Sequence, residues 1–198
     1  MAKRRTLLLV ASAALLAACA PQYTFTATDI TGATLGTAAW SLPDAQGKPR
    51  SVKTQAKTEG KITAVFFGFT RCPDVCPTTL VDYAAALKLM GADAAKVQVL
   101  FITLDPERDT FPALQQYTAA FNPNFIALRG DDAATKVAAD AYKVFYAKNM
   151  AADKNSLNYT LDHTAASYVH DAAGNIRLYV RHGQAAAAIA ADLKALIK

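Results

Sequence analysis

The apolar positions of the chain predict two buried strands near its middle. Residues 62–69 and 97–104 are nearly unbroken apolar runs, which is typical of strands covered on both faces of a sheet. Between them, residues 78–90 carry apolar side chains close to helical spacing, and Gly91 follows as a helix-ending residue. Two buried strands joined by a helix predict a parallel pair with a right-handed crossover.

From residue 35 onward the pattern is that of one α/β domain. The further predicted elements are an N-terminal hairpin (35–42 and 50–54), helices at 110–121 and 131–142 around a strand at 125–128, a closing hairpin (165–169 and 176–180) and a last helix at 184–197. Parallel strands followed by an antiparallel hairpin and a helix indicate a thioredoxin-like α/β sandwich. Residues 142–160 form an extra excursion before the closing hairpin.

The N-terminus has the pattern of an export signal. Basic residues at 3–5 precede the apolar run 6–18, and Cys19 follows; this order is typical of a cleaved signal. The run is shorter than the roughly 20 apolar residues that a membrane-spanning helix needs. Residues 16–19 (Leu-Ala-Ala-Cys) also resemble a bacterial lipobox, so we expect Cys19 to carry a lipid anchor. The alternative is plain cleavage after Ala18, which leaves an unpaired thiol.

These features divide the chain into a lipoprotein signal peptide at 1–18, a tether at 19–34 and a thioredoxin-like domain at 35–198. We expect an exported protein, lipid-anchored in the periplasm or at the outer face of a bacterial cell membrane. A hydrophobic content of 53% with 19% charged residues excludes disorder for most of the chain. The net charge of +5 falls to +2 without residues 1–18, so charge gives no sign of nucleic-acid binding.

Cys72 and Cys76 are the two cysteines that remain for the domain. They lie between the strand at 62–69 and the helix at 78–90, at the edge where open α/β sheets present their sites. Each precedes a proline, which disfavours the helical conformation. We therefore expect a loop from Cys72 to Cys76, with Pro77 in the first helical turn. A thiol beside a helix N-terminus is stabilised as the thiolate.

Three interpretations of this cysteine pair compete. An inert disulfide between residues so close in sequence closes a very short loop and stabilises little. A thioredoxin-type redox pair normally has two intervening residues, whereas this pair has three. In addition, no proline lies near Thr164, where thioredoxins place a cis proline. The third interpretation is a metal site that a residue from elsewhere in the chain completes.

His163 is the candidate for that third ligand. It precedes the closing hairpin, which in a thioredoxin-like fold begins against the N-terminus of the first helix. His170 and His182 lie farther along the hairpin, and we assign them structural or surface roles. Two thiolates and one imidazole suit copper or zinc, but structural zinc takes four protein ligands and no fourth cysteine or histidine is near. Asp162 either orients the imidazole or points to solvent.

Acidic residues near these segments also have two interpretations each. The run at 105–109 either offers carboxylates for partner docking or is a polar loop in which Asp109 or Thr110 caps the next helix. The polar loop is favoured, because both residue types are preferred at helix N-caps. Asp74, between the cysteines, is either a weak ligand or docking charge, or a turn-forming residue.

Three motifs occur in order along the chain: 68–77 (Gly-Phe-Thr-Arg-Cys-Pro-Asp-Val-Cys-Pro), 103–110 (Thr-Leu-Asp-Pro-Glu-Arg-Asp-Thr) and 161–164 (Leu-Asp-His-Thr). Together they closely resemble the Sco/SenC family of copper proteins. The resemblance runs from about residue 35 to the C-terminus and implies a thioredoxin-like fold. It also implies that Cys72, Cys76 and His163 bind copper, one per chain, as Cu(I), Cu(II) or both.

The same resemblance implies a copper metallochaperone that delivers copper to the dinuclear copper centre of cytochrome c oxidase. The expected partners are cytochrome c oxidase subunit II or another copper chaperone, together with a membrane through the lipid anchor, and no nucleic acid. Such a protein is not an enzyme in the turnover sense. The alternative is a thiol-disulfide reductase that keeps partner cysteines reduced, in which Cys72 attacks and Cys76 resolves. A peroxidase has no support beyond the fold.

Overall fold

A six-stranded sheet lies at the centre of the fold. The computed structural model describes residues 23–150 and 158–197. In chain order the elements are β1 (Thr28–Asp29), β2 (Leu42–Pro43), β3 (Pro49–Arg50), α1 (Val52–Glu59), β4 (Ile62–Gly68), α2 (Val75–Met90), a 3₁₀ helix (Gly91–Lys96), β5 (Val97–Thr103), α3 (Phe111–Phe121), β6 (Ile126–Leu128), α4 (Asp132–Ala141), β7 (Tyr146–Met150), β8 (Tyr159–His163), β9 (Ala166–His170), β10 (Ile176–Arg181) and α5 (Ala186–Ile197).

The strand order across this sheet is β1-β10-β9-β4-β5-β6. β4 and β5 pair in parallel, with Ile62 opposite Val97, and β6 continues in parallel beside β5. β9 and β10 form the closing hairpin and run antiparallel to β4. Every residue of β4 and β5 is buried, as their apolar sequences predict. α2 makes the crossover and packs against α5.

The N-terminal hairpin is shorter than predicted. Its strands are only β2 and β3, and residues 35–41, all of them described, contain no strand. The predicted strand at 50–54 is wrong beyond Arg50 because Ser51 begins a helix. The Ser51 side chain accepts a hydrogen bond from the N–H of Thr54, and the Thr54 side chain accepts one from the N–H of Ser51. This capping box starts α1 in place of the strand.

Two segments contain strands outside the predicted strand ranges. β1 lies within the segment 19–34 and pairs with β10 at the edge of the sheet. The excursion before the closing hairpin contains β7 and β8, which pair antiparallel with Tyr146 opposite His163 and Met150 opposite Tyr159. We call this pair of strands the β7–β8 ribbon. It forms a two-stranded sheet of its own, separate from the central sheet.

The proposed signal peptide at 1–18 and the proposed lipid site Cys19 lie outside the described residues. The limits of the signal peptide, the tether and the domain therefore stay predictions. Among the helices of the described ranges, none combines the length and the hydropathy that a bilayer-spanning helix requires.

Candidate metal centre

α2 begins inside the cysteine motif. Its N-cap is Asp74, so the helix starts earlier than predicted, and the Asp74 carboxylate accepts a hydrogen bond from the Thr78 hydroxyl at 3.2 Å. Cys76 therefore lies in the first helical turn, which corrects the expectation that both cysteines belong to a loop. Pro77 is tolerated there because N–H groups of the first turn have no acceptor within the helix. Cys72 lies in the turn before the helix.

His163 lies beside both cysteines. It is the last residue of β8 and precedes β9, as predicted. Its Nε2 is 3.5 Å from the Sγ of Cys76, a residue 87 positions away in sequence. The ligand atoms of Cys72, Cys76 and His163 all lie within 4.8 Å of one another, and within the described ranges no other three His, Cys, Asp or Glu side chains form such a group. The structure thus brings the three predicted site residues together.

The imidazole of His163 is held from three sides. Its Nδ1 is 3.0 Å from the carbonyl oxygen of Thr164, and the rings of Phe66 and Phe69 meet it edge to face with centroids 6.4 and 5.9 Å away. A proton on Nδ1 that is donated to this carbonyl leaves the lone pair of Nε2 free for a metal ion. Asp162 is exposed, which agrees with the alternative that its side chain points to solvent, and the backbone carbonyl of Thr164 orients the ring.

The two thiols have opposite electrostatic environments. A hydrogen bond with Cys76 holds the pKa of the Cys72 thiol well below its usual range, and His163 adds to this effect. The N–H of Cys76 also lies 3.4 Å from the Cys72 sulfur. The same hydrogen bond, together with burial, raises the pKa of Cys76. At neutral pH Cys72 is therefore the thiolate, and Cys76 keeps its proton until metal binding releases it.

An open groove leads to this site. It has a volume of about 390 Å³ and is lined by Cys72 and His163 together with Asp74 and Leu161. Cys76 is fully buried, whereas Cys72 is partly exposed. Two larger cavities, of about 640 and 730 Å³, contain no cysteine in their linings. A metal ion at the three donors is therefore accessible from solvent on the Cys72 side.

The two aspartates of the acidic loop after β5 are buried, whereas Glu107 is exposed. The Asp109 carboxylate accepts hydrogen bonds from the N–H and hydroxyl of Thr70, at 3.1 and 2.5 Å, and from the Thr103 hydroxyl at 2.6 Å. Asp105 is only 1% exposed, so the docking interpretation is wrong for both carboxylates. The side chain of Thr110 caps α3, which confirms the capping interpretation for Thr110 but not for Asp109.

The remaining histidines lie apart from the site. His170 is buried, with Nε2 3.0 Å from the Tyr142 hydroxyl and Nδ1 3.2 Å from the carbonyl oxygen of Gly174. His182 is exposed, and its Nδ1 is 3.2 Å from the Thr79 hydroxyl. Both observations agree with the structural and surface roles that the sequence predicts for them.

The fold and the site define a thioredoxin-like domain that presents two cysteines and one histidine at a solvent-facing groove. The sequence profile of the SCO1/SenC family matches residues 28–198, and the chain belongs to this family. The chain is 39% identical to the SCO2-like protein of Rickettsia conorii over 126 residues, which are 64% of this chain and 60% of that protein. This match and the matches to two further SCO2-like proteins of Rickettsia each span about three fifths of the relative's length.

Solved structures agree with this assignment. The structure of Bradyrhizobium japonicum ScoI with copper bound has 38% sequence identity and a TM-score of 0.71, over 81% of this chain and 98% of ScoI. The apo Sco1 protein from Thermus thermophilus has 34% identity and a TM-score of 0.76, over 89% of this chain and 99% of Sco1. These matches confirm the predicted thioredoxin-like fold.

Proposed function

We propose that this chain holds one copper ion through Cys72, Cys76 and His163 and delivers it to the dinuclear copper centre of cytochrome c oxidase. The observation that carries the proposal is the meeting of two sulfurs and one imidazole nitrogen within 4.8 Å. Membership of a family of cytochrome c oxidase assembly proteins supports the destination. The copper in ScoI, which is 38% identical to this chain, supports the choice of metal.

The donor set itself favours copper. Two thiolates and one imidazole are soft or borderline donors, which suit Cu(I), and Cu(II) with a weak further ligand. Structural zinc takes four protein ligands, whereas the group contains three residues among those described. The lowered pKa of Cys72 supplies one thiolate at neutral pH without a base, and metal binding displaces the proton of Cys76.

An open site is what delivery requires. Copper is the cargo, and a partner's thiolate reaches it from the groove, where Cys72 is partly exposed. Stepwise exchange then replaces the donors of this chain one at a time, and the buried Cys76 is the least accessible to an incoming donor. A closed four-coordinate cage lacks this route and retains its ion.

Copper titration tests the proposal. Reduced protein is titrated with Cu(I) and with Cu(II), beside oxidised protein and the variants Cys72→Ser, Cys76→Ser and His163→Ala. We expect one copper per reduced chain, and loss of tight binding in oxidised protein because a disulfide has no thiolate to offer. His163→Ala weakens Cu(II) binding and changes its absorption spectrum.

His182→Ala is the matched control, because it removes an exposed histidine that is not part of the site. We expect this variant to leave the copper stoichiometry, the copper affinity and the Cu(II) absorption spectrum unchanged. An unchanged Cu(II) spectrum in His163→Ala shows instead that the third-ligand assignment is wrong. Transfer is measured by mixing copper-loaded protein with the metal-free copper domain of cytochrome c oxidase subunit II, and copper that stays on this chain contradicts the chaperone role.

The unequal thiols favour thiol-disulfide reduction as a second candidate function. The Cys72 thiolate attacks a partner disulfide, forms a mixed disulfide and releases the partner's other sulfur as a thiolate. Cys76 then loses its proton and attacks the Cys72 sulfur, which frees the second partner thiolate and leaves a Cys72–Cys76 disulfide. Two electrons pass from this chain to the partner. A reductase of this kind does not need an imidazole ligand, so His163→Ala retains reductase activity if this candidate is correct and copper delivery is not.

The location of the protein is part of the proposal. We propose export and lipid anchoring at Cys19, on the basis of the N-terminal sequence. Cys19→Ser then moves the protein from the membrane fraction to the soluble exported fraction. Mass spectrometry of the N-terminal peptide identifies acyl groups on Cys19, and an unmodified Cys19 in the mature protein contradicts the anchor.

A further inference from the structure

The strand that carries His163 lies outside the central sheet. Within residues 23–150 and 158–197, β8 pairs with β7 alone, in the β7–β8 ribbon. Cys76, in contrast, lies in the first turn of α2, and Cys72 lies between β4 and α2; both elements belong to the core of the fold. The distance between the imidazole and the sulfurs therefore depends on how the ribbon is attached to the rest of the domain.

Tyr159, the first residue of β8, is attached to the loop at 105–109 by four contacts. Its hydroxyl donates to the Asp105 carboxylate at 2.6 Å and lies within hydrogen-bond distance, 3.1 Å, of the Glu107 carboxylate. Its carbonyl oxygen accepts one from Arg108 at 2.7 Å. The Arg108 guanidinium lies over the Tyr159 ring, 3.5 Å from the centroid.

The groups that make these contacts are buried and mutually fixed. Nε of Arg108 is 2.5 Å from the Asp105 carboxylate, and the two side chains are 2% and 0% exposed. Tyr159 is itself only 6% exposed. A planar guanidinium that binds a carboxylate, a carbonyl oxygen and an aromatic face at once allows little rotation of any of them. The start of β8 is therefore fixed in both position and orientation.

β8 transmits this position to His163. Burial alternates along the strand, so Tyr159, Leu161 and His163 lie on one face. A strand rises about 3.3 Å per residue, so a shift or twist at Tyr159 moves the imidazole on the same face. The ribbon pairing keeps the strand extended between the two residues.

The same loop also reaches the cysteine side of the site. Asp109 accepts two hydrogen bonds from Thr70, which precedes Cys72 by two residues. One short loop thus contacts the segment before the thiols through Asp109 and the strand before the imidazole through Asp105 and Arg108. No residue of this loop belongs to the metal-binding group among the described residues.

We propose that Asp105, Arg108 and Asp109 are positioning residues that set the separation of His163 from the two cysteine sulfurs. Asp105 and Arg108 act through Tyr159, and Asp109 acts through Thr70. The inference rests on the proposed copper site, and it adds a second set of residues on which the geometry of that site depends.

Tyr159→Phe is the test for the imidazole side, because it removes the hydroxyl hydrogen bonds to Asp105 and Glu107 and keeps the ring under Arg108. Cu(II) affinity is measured for this substitution in the native background and in a His163→Ala background. We expect a loss of roughly tenfold in the native background, the size typical when a group that orients a ligand is removed, and no further loss in the His163→Ala background.

Tyr23→Phe is the matched control, because it also removes a tyrosine–aspartate hydrogen bond, to Asp192, at 2.9 Å. It leaves Cu(II) affinity unchanged in both backgrounds. Metal-free protein gives a second readout, in which Tyr159→Phe speeds amide hydrogen exchange at residues 160–163 and leaves β4 unchanged.

Equal losses of affinity for Tyr159→Phe in both backgrounds mean that Tyr159 acts only on general stability, and the positioning role is then wrong. No loss in the native background overturns it as well. If His163→Ala itself leaves Cu(II) binding intact, His163 is not a ligand and the proposed copper site is wrong. This result differs from the two results that contradict the positioning role, because it concerns His163→Ala and not Tyr159→Phe.

Thr70→Val tests the cysteine side, because it removes the hydroxyl hydrogen bond to Asp109. Thiolates bind both oxidation states, so we expect weaker Cu(I) and weaker Cu(II) binding, and the loss persists in the His163→Ala background. Thr31→Val, which removes an exposed hydroxyl–carboxylate hydrogen bond to Asp29 at 2.6 Å, is the control and changes neither. Unchanged Cu(I) affinity in Thr70→Val overturns the role of Asp109.

Discussion

Gly68 packs directly against Cys76. A Cβ added at position 68 would lie 2.7 Å from the Cys76 sulfur and 2.9 Å from the ring of Phe101. Both distances are shorter than van der Waals contact permits. Both neighbours are fully buried, so neither can move away freely. The buried sulfur therefore occupies its place in the site because residue 68 has no side chain.

Gly68→Ala displaces the Cys76 sulfur and disturbs the metal site. We expect overpacking to lower the free energy of unfolding by about 1–3 kcal/mol, together with a loss of copper affinity. Gly130→Ala is the matched control, because its Cβ lies equally close, 2.7 Å, to a carbon of Leu42. It lowers stability similarly but keeps copper affinity, as measured by urea denaturation and Cu(I) competition. Equal affinity losses in the two variants contradict a specific effect of Gly68 on Cys76.

Cys72 reacts as a thiolate below neutral pH. Its pKa is lowered chiefly by the hydrogen bond with Cys76, so it keeps its negative charge as the pH falls, whereas an ordinary cysteine with a pKa of about 8.5 becomes protonated. In reduced, metal-free protein we expect its iodoacetamide alkylation rate to stay nearly constant from about pH 8 to pH 6, while an ordinary thiol loses about tenfold per pH unit.

Two variants check the cause of this reactivity. Cys76→Ala removes the hydrogen-bond donor, so the pKa of Cys72 rises and its alkylation rate falls as the pH is lowered. Within the described residues, Cys72→Ser leaves the buried Cys76 as the remaining cysteine, and we expect it to react slowly throughout this range. A Cys72 rate that follows the ordinary thiol profile in the native protein disproves the thiolate assignment.

The centre of the fold was predictable because it depends on local pattern. β4 and β5 are continuous apolar runs, and their burial follows directly from that composition. α1 was not predicted, because only Val52 and Gln55 of its residues are buried and it has little apolar periodicity. Its signal is the capping pair Ser51 and Thr54 together with Gly60, which ends the helix with φ 58°.

Of the metal site, only the three ligand residues were predictable from the sequence. Cys72, Cys76 and His163 are recognisable by residue type and by their positions beside predicted elements. Asp105 and Tyr159 are 54 residues apart, and in the part of the chain that the structure describes β8 pairs with β7 and not with the central sheet. A contact of that kind depends on tertiary packing. The local sequence of an acidic loop does not show whether its carboxylates are buried or face solvent as a docking site. Cys76 shows a similar limit, since a proline follows it and it is nevertheless helical.

His170 makes the stability of the domain depend on pH. Burial lowers the pKa of His170 from 6.5 to about 4, so between these values the unfolded chain binds a proton that the folded chain does not. Stability therefore falls as the pH drops through this window, by at most about 3 kcal/mol from this group. Urea denaturation at pH 7 and pH 4.5 measures the loss.

The matched variants are His170→Gln and His182→Gln. The first removes the buried histidine, so the difference in stability between the two pH values becomes smaller than in the native protein. The second removes an exposed histidine and keeps the native difference. If His170→Gln retains the full pH dependence, the buried imidazole is not its source.

Arg108 and Lys148 separate the effect of a buried ion pair from that of an exposed one. Arg108→Met leaves the Asp105 carboxylate buried without its counter-charge, which we expect to lower the free energy of unfolding by about 3–5 kcal/mol. Lys148→Met breaks a pair with Glu107 in which both side chains are about half exposed, and we expect a loss of about 0–1 kcal/mol.

Urea denaturation at pH 7 in low and high salt measures the loss of stability in both variants. High salt weakens only the exposed pair, because buried charges are screened little. Equal losses for the two variants mean that the Arg108–Asp105 pair does not stabilise the attachment of Tyr159 to the domain.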